Sequence, residues 1–169
     1  VQNTPPEFDL GGEPREQVAS ASTSPTNSGD TVTFIATATD QNGAPYFLLI
    51  CDSPNATAQA GDGTGIAAPT CDDGQIAVST STVSGTQANA ATTTTEAMPE
   101  QNDWWAFACD DDADNPECSP ASQGITGTAT SSPFVVNHRP TFDNISPAPS
   151  ADPGGTLTFT ATSTDSDTF

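Results

Sequence analysis

Thr31-Val-Thr-Phe-Ile-Ala-Thr-Ala-Thr-Asp40 is the stretch on which the reading of this chain turns. Val32, Phe34, Ala36 and Ala38 alternate with Thr31, Thr33, Thr37 and Thr39. Successive side chains of an extended segment point to opposite faces, so this spacing makes one apolar face and one threonine face, the pattern of a half-buried antiparallel strand. The pattern returns as Thr156-Leu-Thr-Phe-Thr-Ala-Thr-Ser-Thr-Asp165, an offset of 125 (156 − 31). Gly29 and Gly154 precede the two copies, and Asp40-Gln-Asn42 is echoed by Asp165-Ser-Asp167. Upstream, Asn3-Thr-Pro-Pro-Glu-Phe8 corresponds to Asn137-His-Arg-Pro-Thr-Phe142, an offset of 134 (142 − 8). The first copy therefore carries about nine extra residues between Phe8 and Thr31, expected as a longer loop near 11–21. A period of this size is a whole domain, not the ~20–50 residues of a solenoid repeat.

Other apolar blocks extend the strand reading. Tyr46-Phe-Leu-Leu-Ile50 is continuously apolar and predicts a central strand. Trp104 to Cys109 alternates, 76–83 and 88–95 are weaker small-residue strands, and Phe134-Val-Val136 closes the set. In immunoglobulin labelling the strands are A near Phe8, B 31–39, C 46–51, D 76–83, E 88–95, F 104–109 and G 130–136. Helix signals are nearly absent. The expected fold is all-β, an immunoglobulin-like antiparallel β-sandwich. Residues 1–136 are expected to form one complete domain and 137–140 a junction. Residues 141–169 are expected to supply strands A and B of a second similar domain, truncated or completed by another chain. The apolar residues of that segment (Phe142, Ile145, Leu157 and Phe159) should then be packed against protein, since an isolated strand pair is marginal in water.

Composition narrows the function classes. The 169 residues carry 22 Asp and Glu against two Arg and no Lys, a net charge of −20. Such a chain lacks the cations that neutralise phosphates, which excludes nucleic acid and disfavours anionic membrane surfaces. No apolar run approaches the ~20 residues of a membrane span, so no membrane insertion is expected. Low hydrophobicity with high charge also describes a disordered stalk. The grouping of the apolar residues into blocks argues against that for most of the chain. A start at Val1 suits a processed or cropped product.

The segments 29–40, 154–165 and the aromatic-x-aromatic-x-Cys-Asp run at 105–110 resemble the Ig-like, PKD-like and cadherin-like modules of prokaryotic cell-surface and secreted proteins. The resemblance covers the strand framework and not the long insertion 52–75. It implies adhesion, spacing, carbohydrate contact or filament building. The chain departs from immunoglobulin domains proper in having no Cys in strand B.

Four Cys allow three pairings. Cys51 and Cys109 end antiparallel neighbouring strands, so they lie at opposite poles, beyond the ~7 Å Cα separation a disulfide tolerates. Cys51–Cys71 and Cys109–Cys118 are therefore expected, in an extracellular or cell-surface compartment. Zinc would need closely spaced Cys or His pairs, which are missing.

Asp110, Asp111, Asp112 and Asp114 lie in the F–G loop, and Asp40 and Asn42 in the B–C loop. In an Ig-like sandwich both loops share one pole. Oxygen ligands converging there suit Ca²⁺, which takes ~6–8 oxygens; a solvated acidic loop is the competing reading. No cofactor is required, and Ca²⁺ is the one these residues admit. Asp165 and Asp167 would be the corresponding ligands of the second domain.

Catalysis is not expected. The only His, His138, reads as a solvated junction residue beside Arg139, and no Lys exists for amine chemistry or isopeptide cross-links. The threonine faces suit β-propensity or O-glycosylation, and Asn55-Ala-Thr57 and Asn144-Ile-Ser146 are N-glycosylation sequons. Of Trp104 and Trp105 one must face the core, and Trp104 is taken as the exposed one that could stack on a sugar. The function expected is a non-catalytic structural repeat, spacer or subunit, of an extracellular surface protein or filament. Its partners would be neighbouring copies of the same or similar domains, and glycans. The alternative is a carbohydrate-binding or adhesion module.

Overall fold

A computed structural model describes residues 3–60, 67–112, 114–146, 150 and 152–168. Part of the 52–75 insertion, residues 61–66, lies outside the described residues, as do 147–149 and 151 of the C-terminal segment. Among the described residues there is no helix, and the chain is all-β.

The strands are β1 (Glu7–Phe8), β2 (Arg15–Glu16), β3 (Thr26–Asn27), β4 (Thr31–Thr39), β5 (Tyr46–Cys51), β6 (Ala56–Thr57) and β7 (Thr70–Cys71). They continue with β8 (Gln75–Val78), β9 (Gln87–Thr93), β10 (Gln101–Asn102), β11 (Trp105–Asp110), β12 (Phe134–Asn137), β13 (Thr141–Ile145) and β14 (Ala161–Thr164). One sheet is built on β4, which pairs antiparallel with β9, β1 and β2. Another places β5 between β11 and β8, both antiparallel. A third runs β10-β12-β3, with β12 and β3 parallel.

The core lies between these sheets, as in a β-sandwich. Val32, Phe34, Ala36 and Ala38 meet Ala88 and Ala90 of β9 and Tyr46, Leu48 and Ile50 of β5, with Trp104 and Phe134 among them. Phe34 packs edge-on against Trp104, ring centroids 5.2 Å apart, and against Phe134 at 5.9 Å. Tyr46 stitches the sheets: its hydroxyl donates to the Thr86 carbonyl at 2.7 Å and accepts the Ala38 N–H at 3.1 Å. A buried phenol with both roles filled carries no unpaired polar atom.

Strand β5 is buried at all six positions, which explains its unbroken apolar run. Its second face meets a smaller cluster of Leu49, Cys51, Phe107 and Cys109, with half-buried Trp105 and Val78 alongside. The loops that cover this outer face are tied down by the two disulfides. Each contributes a half-buried Cys, Cys71 or Cys118, to the same cluster.

Strands B, C and F appear where the alternation placed them, within a residue. Three others are shorter or shifted, among them the expected 88–95 strand, which runs Gln87–Thr93. The segment 76–83 is a strand only as Gln75–Val78, because Ser79 turns its hydroxyl onto the Leu48 N–H and ends the regular pairing. The expected 130–136 strand begins at Phe134, since 128–131 forms a hydrogen-bonded turn. The long loop near 11–21 contains β2, which pairs with the edge of β4.

The C-terminal segment reproduces the local geometry of the first copy. Glu7↔Thr39 and Phe8↔Ala38 are register partners in β1/β4. Thr141↔Thr164 and Phe142↔Ser163, the positions 134 and 125 residues on, are register partners in β13/β14. Gly29 and Gly154 both take positive φ, 95° and 90°, a conformation glycine reaches without a Cβ clash. The turns before the second strand match too: Asp30 N–H donates to Asn27 O, and Gly155 N–H to Asp152 O. Two differences remain. Residues 156–160 are not in a sheet, and Phe142, Ile145, Leu157 and Phe159 are exposed, Phe159 at 68%. The expectation that these four side chains are packed against protein is not met within this chain.

Candidate functional site

The loop after β4 and the end of β11 do meet at one pole. Asp40, the residue that directly follows β4, accepts the N–H groups of Asn42 at 2.6 Å and Ala44 at 3.1 Å on Oδ1. An Asx turn of this kind is what Asp offers after a strand. Asp110, the last residue of β11, accepts from Asn3 Nδ2 at 2.5 Å and from the Glu117 N–H at 3.2 Å on Oδ2. Asp40 and Asp110 are 3% and 1% exposed, their carboxyl groups contact each other, and Asp40 Oδ2 and Asp110 Oδ1 have no donor. Burial, with the contact to Asp40 adding to it, pushes Asp110 up to about 6 despite the Asn3 hydrogen bond. A proton on Asp110 supplies the donor this contact lacks.

The other expected cation ligands point elsewhere. Asp111 accepts the Ser81 hydroxyl, and Asp112 caps its own turn by accepting the Asp114 N–H at 2.8 Å. Asp114 is exposed, and Asn42 Oδ1 accepts the Thr4 hydroxyl at 2.7 Å. Among the described residues, no three His, Cys, Asp or Glu side chains converge as metal ligands. Of the six expected ligands, Asp40 and Asp110 are the two with a buried carboxylate oxygen that has no donor, two oxygens against the ~6–8 that Ca²⁺ takes. The expected six-residue set is not assembled.

Both disulfides have the expected pairing, with Cα–Cα separations of 5.6 Å for Cys51–Cys71 and 4.0 Å for Cys109–Cys118. The register explains the choice: Cys51 pairs with Trp105 and Cys109 with Phe47, at opposite ends of the β5/β11 ladder. Two disulfides fit a non-reducing compartment. Among the described residues no helix is long and apolar enough to cross a membrane.

Trp104 is a correction. It is fully buried, packed on Phe34, and its neighbour Trp105 is the half-exposed one, on the outer face of β11. Alternation forces the two apart but does not say which side is wet; the position of the β4/β9 sheet decides that. Asn55 and Asn144, the two sequon residues, are exposed. An open cleft of about 600 Å³ lies beside Asn55, between the two disulfide-tied loops, lined also by Pro5, Phe107 and Glu117.

His138 is a second correction. It is 8% exposed rather than solvated, and its ring bridges Asp167 and the Met98 carbonyl. Sequence reading also missed Glu16, 1% exposed in β2, whose Oε2 accepts the Ser20 N–H at 3.0 Å while Oε1 has no donor. Burial pushes its carboxyl up to about 7. Nothing in the surrounding 11–21 loop marks a buried acid; only the pairing of β2 with β4 encloses it.

No family model, curated protein or solved structure matches this chain.

Proposed function

We propose that this chain is a non-catalytic structural repeat, spacer or subunit, of an extracellular surface protein or filament, built on an immunoglobulin-like sandwich. The observation that carries the reading is the match between the two copies: same strand register, same glycine turn, same Asx turn after the second strand. A chain that begins the same unit twice is organised as an array. Two disulfides holding the outer loops, and threonine faces suited to an exposed fibre, fit that role. The second unit's uncovered apolar face would be closed in the array by strands equivalent to those that cover Phe34 in the first. Neighbouring copies of the same or similar units are the partners this reading requires.

Electron microscopy and light scattering of the purified parent protein test it. Beaded or filamentous particles with a regular repeat are expected. A compact particle with no axial repeat would overturn the reading. Glycan-array binding by the 169-residue chain would replace it with the carbohydrate-binding alternative.

A further inference from the structure

Thr4 and His138 occupy equivalent positions, and so do Asn42 and Asp167, under the offsets of 134 and 125 that relate the two copies. In both copies the residue leading into the first strand reaches the loop after the second. Thr4 Oγ1 donates to Asn42 Oδ1 at 2.7 Å, and His138 Nδ1 lies 2.6 Å from Asp167 Oδ1. The contact belongs to the repeated unit, but only its second version can titrate.

The second version also reaches back to the sandwich. The His138 N–H donates to Asp167 Oδ2 at 2.6 Å, so the carboxylate grips ring and backbone together. His138 Nε2 lies 2.8 Å from the carbonyl of Met98, in the connection between β9 and β10. From the same connection, Glu100 Oε2 accepts the Thr168 N–H at 3.1 Å and its hydroxyl at 2.8 Å. Arg139 approaches Glu96 at 3.7 Å, but that pair is largely exposed and contributes little.

Both ring nitrogens of His138 thus face oxygen acceptors, and only the imidazolium donates from both. A neutral ring turns one lone pair onto either a carboxylate or a carbonyl oxygen within 3 Å. The charges facing the ring from the packed elements are Asp167 and Glu96, both negative; the Arg139 side chain points outward, 81% exposed.

We propose that His138 is a proton-gated joint between the sandwich and the β13/β14 sheet. It is closed while the imidazolium bridges the Asp167 carboxylate and the Met98 carbonyl, and it loosens when the ring loses its proton. The hydrogen bond that the ring donates to Asp167 holds His138 above the ordinary 6.5, and the same bond holds Asp167 below the usual carboxylate value. A raised histidine stabilises the closed joint fully below 6.5, and that contribution is lost as pH rises through the raised value. All of these contacts lie within one chain, so the joint needs no assembly partner.

His138 is the only histidine, so its ring resonances in the 169-residue chain are unambiguous. An NMR titration is expected to give a midpoint above 6.5, with amide signals of Phe142 and Thr162 moving at that same midpoint. Asp167→Asn should bring the ring midpoint back toward 6.5 and uncouple the β13/β14 signals from pH. Near-ultraviolet dichroism from the buried Trp104 shows that the sandwich itself is intact in the variant. A wild-type midpoint at or below 6.5, β13/β14 signals indifferent to the ring's titration, or an unchanged midpoint in Asp167→Asn would each overturn the joint.

Discussion

Phe34 and Phe159 stand at the same place in the same sequence pattern, 125 residues apart, and one is fully buried while the other is 68% exposed. Phe8 and Phe142 differ in the same sense: Phe8 packs on the core and Phe142 is 68% exposed. Backbone register, glycine turn and Asx turn are common to both copies, so local sequence sets them. Burial differs because β9, β5, Trp104 and Phe134 close over the first copy and nothing described closes over the second. The alternation of a strand states which face could be buried; the partner sheet decides whether it is.

The largest expected effect breaks or upholds this contrast directly. Phe34→Ala should destabilise the chain by ~3–5 kcal/mol, through lost transfer energy and the cavity left against Trp104 and Phe134. Phe159→Ala should change it by less than ~0.5 kcal/mol, as surface substitutions do. Urea unfolding of both variants decides it. Comparable costs would mean that Phe159 is covered after all. In a longer array with a completed second unit, the cost at Phe159 should climb toward that at Phe34.

The outer layer of the sandwich sharpens the contrast in a second way. It is a small apolar cluster that the chain holds by covalent ties, whereas the C-terminal sheet has none. Replacing Cys51 and Cys71 by Ala opens a loop of sequence separation 20. The expected loss is ~3 kcal/mol, mainly from the freed unfolded chain. Hydrogen exchange should quicken first at Leu49 and Phe107, with β4 and β9 still protected. A loss of protection in β4 as early as in β5 would show that the two clusters are one unit.

The acids after the second strand differ as well: Asp40 is 3% exposed, while its counterpart Asp165 is exposed. Glu16, with an ordinary value of 4.5, keeps its proton in the fold up to about 7. The folded state therefore binds more protons than the unfolded chain across that window. Stability is full below 4.5 and is lost as pH rises through about 7. Asp110 acts in the same sense between 3.8 and about 6. The thermal midpoint should fall by a few degrees from pH 5 to pH 8, and Glu16→Gln should raise it at pH 8 and flatten the slope. An unchanged slope in that variant would show that Glu16 is hydrated in solution.

The smallest expected effect is that of Ca²⁺. With two free carboxylate oxygens at Asp40 and Asp110, millimolar Ca²⁺ should move the thermal midpoint by less than the pH change does. A rise of several degrees at pH 8 that vanishes in Asp110→Asn would instead establish a cation site at this pair.

Sequence by itself determined the all-β class, strands β4, β5 and β11, and both disulfide pairings. Period-two alternation and the pole at which a strand ends are properties of the chain's own order, legible without its neighbours. Only the tertiary structure decided that Trp104 rather than Trp105 is buried, because two adjacent strand residues are equivalent until a second sheet covers one face. The same holds for the acidic residues: the sequence brought Asp40 and Asp110 to one pole, but Asp111 accepts from Ser81, Asp112 from the Asp114 N–H and Asn42 Oδ1 from Thr4, contacts that no local pattern announces. His138 looked solvated because its partners, Met98 and Asp167, lie 40 and 29 residues away. A contact at that range comes from the path of the folded chain, which no local pattern records.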